Sequence, residues 1–301
     1  MIKEQKTEIE VSDDYSGLRL DKALIREFST ISREKIQKII LKGMVTVDKK
    51  RRKPAYPLKK GQLIEIQFEP EKNELKHFDF KVNIIFEDDY IIVVDKPSGL
   101  SVHGPNYEYQ KTLVAALLSM KRELWVADTL RPGVVHRLDK DTTGLMVLAK
   151  NKKAYESLVR QFKDRTVSKE YRAVCHGQIE HDSLSLELPL ARDRRNPLKM
   201  KVSFFQAKQA QTRINVLKRF KTSTYLSIKI LTGRMHQIRV HLRFIGHPIL
   251  GDKKYGLRDK EKHLYLHAHK LSFIHPKDNK LIEFSSCLPD YFSGYLKKED
   301  V

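Results

Sequence analysis

The run His136-Arg-Leu-Asp-Lys-Asp-Thr-Thr-Gly144 sets one carboxylate, Asp139, among His136, Arg137 and Lys140. Nearby positive charge favours the ionised form of a carboxylate. The Asp141-Thr142-Thr143-Gly144 segment behind it supplies turn residues that fix a loop through local hydrogen bonds. An ionised carboxylate in a fixed loop is available for chemistry. A surface turn of solvated charges is the ordinary reading of the same residue types, so the rest of the chain has to decide. Two other segments have suitable residues. Lys169 to Gly177 alternates, putting Tyr171, Ala173 and Cys175 on one face of a strand, where a tyrosine is most often ordinary packing. In Leu231 to Pro248, His236, Arg239 and Arg243 fall on a different helical face from Ile238, Leu242 and Ile245. Such a polar set is commonly surface, yet an arginine can also pair a buried carboxylate or grip a phosphate. One of these opposite Asp139 would account for both.

The elements that must hold these residues are legible. Leu145 to Lys150 is an apolar run that reads as a buried strand, and Asn151 can cap a helix with Ala154, Leu158 and Phe162 at fourfold spacing. The Asp139 loop is therefore anchored downstream by rigid elements, a favoured setting for catalytic groups. Upstream, two Ile/Val-rich runs around the acidic turn of residues 82–100 predict a hairpin that Lys-Pro-Ser-Gly ends. Strand Tyr225 to Ile230 leads through Gly233 into the arginine-bearing helix, which Gly246 and Pro248 stop.

Composition selects the partner. The 301 residues carry 58 basic against 38 acidic side chains, a net charge of +20, which points to a polyanion. No apolar run of about 18 residues is present to span a bilayer, and the charged opening has no signal-peptide pattern. Two cysteines, Cys175 and Cys287, form neither a disulfide framework nor a zinc-like spacing. A soluble, cytoplasmic chain is the expectation.

The basic charge is concentrated near the start. Leu20, Leu24 and Phe28 line one helix, and a second runs from Ser32, its expected cap, to Gly43, with Ile36, Ile39 and Ile40 inward. Residues 31–60 hold eleven Lys or Arg against two acids. Arg33, Lys35, Lys38 and Lys42 on the helix, with Lys49, Arg51 and Arg52 beyond a short strand, are candidate phosphate contacts. A solvated face is the plain alternative for such charges. A second basic tract, residues 191–220, has nine basic residues and one acid. The order RLDKAL, SREKIQKIILKGMVTVD, GQLIEI resembles the S4 RNA-binding domain, which implies RNA without implying a reaction.

HRLDKDTTGLMVLAK, KEYRA and GRMHQIRVHL together resemble the three motifs of the RluA-type RNA pseudouridine synthases, with VVDKPSGLSVH and LHAHKLSFIHP matching further family segments. The resemblance implies an α+β fold: a catalytic domain on a mixed, mostly antiparallel sheet with flanking helices, preceded by a small α/β S4-like domain. The expected boundaries are an extension at 1–16, the S4-like domain at 17–67, a linker at 68–82, the catalytic domain at 83–292 and a tail at 293–301. It also implies Asp139 as essential carboxylate, Tyr171 as the platform stacking on the flipped base, Arg239 as the carboxylate's partner and Arg137 as an aid to flipping. The implied reaction is isomerisation of uridine in RNA to pseudouridine, without cofactor or metal; the sequence is silent on oligomeric state, and a monomer is the default expectation. Ribosomal RNA is the first expectation for substrate and transfer RNA the second. One carboxylate suffices because uracil is a tolerable leaving group and water must be kept out. Attack at C1′ and removal of a sugar proton both stay open as its role. An RNA-binding assembly factor and a hydrolytic glycosylase are the other readings.

Overall fold

The computed structural model describes residues 7–28, 33–67, 78–104, 111–126 and 131–299, the side chains of Glu34 and Lys35 excepted. These fall into two compact units, 7–67 and 78–299. In the first, β1 (Thr7–Glu10), α1 (Leu20–Glu27), α2 (Arg33–Leu41), β2 (Val45–Val47), β3 (Lys50–Arg51) and β4 (Leu63–Ile66) follow in chain order. The strands form an antiparallel sheet in the order β1-β4-β2-β3. Leu20 and Leu24 pack with Ile36, Ile39 and Ile40 against Val45, Val47, Ile64 and Ile66, as the fourfold spacing requires. Gly43, at φ +78°, ends α2 in the left-handed region that a glycine enters cheaply. Ser32, the expected cap of that helix, lies outside the described residues. The segment expected as an extension supplies β1, and Val11 behind it joins this core.

The second unit contains β5 (Asn83–Glu87), β6 (Ile91–Lys96), α3 (Leu113–Ser119), β7 (Thr143–Ala149), α4 (Lys152–Lys163), β8 (Ser168–His176) and β9 (Ser183–Glu187). It continues with β10 (Leu190–Arg192), β11 (Met200–Val202), β12 (Gln211–Arg219), β13 (Ser223–Ile230), α5 (Gln237–Phe244), β14 (Leu266–Ile274), β15 (Leu281–Ser285) and α6 (Asp290–Glu299). Nine strands form one sheet in the order β5-β6-β7-β14-β8-β13-β12-β9, with β15 on the far part of β14. Only β7 and β14 run parallel among the described strands; β10 and β11 make a separate ribbon. The sheet is mixed and mostly antiparallel, and no described helix is long and apolar enough to cross a membrane.

Sequence chemistry explains the elements around Asp139. All seven residues of β7 are buried, which is why its pattern is a continuous apolar run. Asn151 caps α4 by accepting the Ala154 N–H at 2.9 Å, and Ala154 and Leu158 cover Leu145, Val147 and Phe273. Helix α5 departs from the expected two-faced pattern. Gln237 to Leu242 are all buried, because the polar ones have partners inside: Gln237 donates to the Gln211 carbonyl at 2.9 Å, and His241 lies 2.9 Å from Thr212 Oγ1. Arg243 is exposed, while His236 precedes the helix in a left-handed conformation, so His236, Arg239 and Arg243 do not share a face. The expected tail belongs to α6, whose Phe292 is fully buried beside Tyr265.

Candidate active site

The Asp139 loop runs into β7 and is fastened from below. Lys96, at the end of β6, is wholly buried, and its Nζ donates to the carbonyls of Pro97, Leu100 and Lys140 at 2.8, 3.0 and 2.9 Å. Ser98 Oγ donates to the Asp141 carbonyl at 3.2 Å, and the Thr142 N–H closes the turn on the Asp139 carbonyl. Burial pulls the Lys96 pKa down to about 7, with the charges of Asp141, Asp139 and Asp95 opposing. Gly144 follows at φ +108°, where a Cβ would run into the backbone of Ala268 on β14. Its missing side chain permits the close parallel pairing that fixes the loop's exit.

Asp139 Oδ2 accepts Arg239 Nη1 at 3.0 Å. Arg239, 3% exposed, is held by a second carboxylate: its Nε and Nη2 donate to Asp252 Oδ2 and Oδ1 at 2.8 and 2.7 Å. Asp252 also accepts the N–H groups of Lys254 and Tyr255 at 2.9 and 3.0 Å. Burial opposes the charge on both partners, but the pairing wins: the Arg239 pKa is raised and that of Asp252 lowered. A two-point fork leaves the guanidinium one orientation, so the position of Nη1, and with it Asp139 Oδ2, is set by a residue the sequence reading passed over. The only local signal was Gly251-Asp252-Lys-Lys-Tyr255-Gly256, a carboxylate bracketed by glycines in a tight turn.

Asp139, Arg137, Tyr171 and Arg239 line one cavity of about 330 Å³, together with Phe162, Lys169 and His236. Tyr171, on β8, is 7% exposed; burial chiefly, and the Asp139 charge next, raise its pKa and keep it a neutral phenol. Arg137 is exposed at the rim. His136 lines the same cavity, but its ring stacks on Phe162 at 4.5 Å and its Nε2 accepts the Val147 N–H at 3.1 Å. Burial, then Lys169, hold its pKa at about 3. It therefore offers Asp139 no cationic charge at neutral pH, a correction to the reading of the motif as a triad of cations. Among the described residues no cluster of His, Cys, Asp or Glu has the make-up of a metal site.

The basic candidates sit in the first unit. Lys38, Lys42, Lys49 and Arg51 are exposed, Lys49 at the tip of the β2–β3 turn where Asp48 and Lys49 both have positive φ. Arg33 reaches buried Asp21 at 3.3 Å, and Arg52 stacks over Tyr56 at 4.5 Å. The Lys35 side chain lies outside the described residues.

With this geometry in hand, the comparisons agree at several levels. Residues 90–244 match the model of the RNA pseudouridylate synthase family and residues 18–64 that of the S4 domain. The chain is 37% identical over 287 residues to an RNA pseudouridine synthase of Bacillus subtilis, 94% of each chain being covered. It is 37% identical over 302 residues to the ribosomal large subunit pseudouridine synthase D of Neisseria meningitidis, covering 95% of this chain and 80% of that one. Among solved structures, human RNA pseudouridylate synthase domain containing 1 superposes with a TM-score of 0.59 at 27% identity, over 74% of this chain and 87% of that one. The chain belongs to the RluA-type RNA pseudouridine synthases, isomerases acting on RNA, and carries an S4 domain at its N-terminus.

Proposed function

We propose that this enzyme isomerises a uridine of large-subunit ribosomal RNA, with Asp139 as the catalytic carboxylate acting on a base flipped into the 330 Å³ cavity. The observation that carries the reading is the bond from Arg239 Nη1 to Asp139 Oδ2, made by a guanidinium already clamped by Asp252. The clamp orients Asp139 and leaves it facing the cavity that Tyr171 walls. In this reading the uracil stacks on Tyr171, worth about 1–3 kcal/mol, and Arg137 at the rim contacts the RNA strand. The N1–C1′ bond breaks, the uracil turns within the cavity, and C5 bonds to C1′ as its proton leaves and N1 gains one. Substrate and product are isomers, so no oxidant, reductant or other co-reactant enters the balance. Exclusion of water once the RNA covers the cavity is what would divert the cleaved base from hydrolysis.

The names of relatives that act on the large ribosomal subunit, the S4 match and the charge of +20 support ribosomal RNA as substrate and the cytoplasm as compartment. Lys38, Lys42, Lys49 and Arg51, with Arg33, Lys35 and Arg52, would grip its phosphates. The test is tritium release from 5-tritiated uridine in ribosomal RNA isolated from cells lacking the gene. Wild-type protein should release tritium stoichiometrically with one or a few uridines, and Asp139→Asn should release none while still binding RNA. Retained turnover in Asp139→Asn overturns the assignment.

A further inference from the structure

We propose that Tyr255 and His236 are paired positioning residues for Asp139: the Tyr255 hydroxyl fixes the His236 ring so that its Nε2–H is directed at Asp139 Oδ2. The inference rests on Asp139 being the catalytic group. Three contacts carry it. The Met200 N–H on β11 donates to the Tyr255 oxygen at 2.7 Å, which leaves the phenolic proton free to be given elsewhere. His236 Nδ1 lies 2.7 Å from that oxygen and is the acceptor in its path. A neutral imidazole accepting at Nδ1 carries its proton on Nε2, the atom 3.9 Å from Asp139 Oδ2. That gap is too long for a hydrogen bond, and bonds of this kind commonly tighten when substrate fills a site.

The backbone supports the assignment independently. His236 sits at φ 57°, ψ 20° and is 9% exposed. A side chain other than glycine is disfavoured there, and such strain gathers at functional sites. Tyr255 also reaches the rest of the constellation, since its N–H bonds Asp252 and its ring lies 5.3 Å from the Arg239 guanidinium. Charge explains why the second donor should be neutral. Arg239 is shared between Asp139 and Asp252, so the three groups sum to one negative charge. A further cation would neutralise the carboxylate that has to act on the ribose, whereas a neutral N–H orients one oxygen and leaves the charge. Burial accordingly keeps the His236 pKa at about 4.

The test uses the full chain and single-turnover kinetics at saturating RNA. Tyr255→Phe, which keeps the ring, should slow the chemical step about tenfold with RNA affinity held within about twofold. His236→Ala should slow it at least as much, and His236→Gln, which retains an N–H donor, should recover part of the loss. The double variant Tyr255→Phe/His236→Ala should be no slower than His236→Ala, because both act through one path; multiplicative losses overturn the proposal. Nitrogen-15 NMR of histidine-labelled wild-type protein gives a readout that needs no variant to fold. An Nε2–H tautomer at His236 is expected, and an Nδ1–H tautomer overturns the pairing. An inactive Asp139→Asn together with the wrong tautomer would sink this inference alone, whereas an active Asp139→Asn sinks the reading beneath it.

Discussion

At the scale of single residues, the site is organised by uneven partnership. Asp139 has one strong donor, Arg239, while Arg239 has two acceptors and Asp252 has four donors from three residues. The most constrained group, Asp252, is thus one residue removed from the cavity, behind Arg239, and Asp139 is the least constrained of the three. Three imidazoles follow the opposite logic: His236 and His267 are buried, His136 is half-buried under Phe162, and desolvation keeps all three neutral. Burial, the main cause in each, holds His136 at about 3 and His236 and His267 at about 4, against about 6.5 in an unfolded chain. Below pH 6.5 the unfolded chain binds protons that the folded one refuses, so stability falls with pH. The contribution is complete above pH 6.5 and is lost as pH drops toward 4 and then 3, each group removing up to about 1.4 kcal/mol per pH unit in its window. Urea unfolding at pH 7.5, 6 and 5 should show this decline, and a flat profile over that range would contradict the buried, neutral assignment.

At the scale of elements, the loop is positioned from both ends by backbone contacts. Lys96 ties it to the end of β6, and the β7–β14 pairing, His267 with Thr143 and Ala268 with Gly144, seats its exit. That pairing tolerates no Cβ at residue 144. Gly144→Ala must therefore push β7 from β14 or leave the φ of +108°, and either costs about 2 kcal/mol or more. Denaturant melts should show the loss, and single-turnover rate should fall with it because Asp139 moves with the strand. Unchanged stability would mean the two strands separate freely there. Helix α5 illustrates why periodicity stops short. Its apolar residues Ile238 and Leu242 are inside as their spacing requires, yet Gln237, Arg239 and His241 are inside too, each satisfied by partners 13 to 53 residues away. Local pattern carries the first fact, and only long-range hydrogen bonding permits the second.

For the whole molecule, a net charge of +20 makes RNA affinity largely a matter of counterion release. Replacing Lys38, Lys42, Lys49 and Arg51 together by alanine should weaken RNA binding. The slope of log Kd against log salt should flatten by about 0.7–0.9 for each phosphate contact removed. An unaltered slope would take these four residues out of the interface. The amino-acid sequence by itself determined the partner class through net charge, and the elements through periodicity, caps and glycines, from Leu20 and Leu24 on α1 to Asn151 on α4. With its motif resemblance it also pointed to Asp139, Tyr171 and Arg239, each carried by its own local run of residues. Tertiary structure alone decided what His136 does, since its packing against Phe162 and β7 turns an apparent cation of the motif into a neutral acceptor. It alone supplied Asp252 and Tyr255, which stand more than 110 residues from Asp139 along the chain. The physical reason is that hydrogen bonds and desolvation depend on what lies within a few ångströms, and that distance has no counterpart in sequence until the sheet has brought β7, β8 and α5 together.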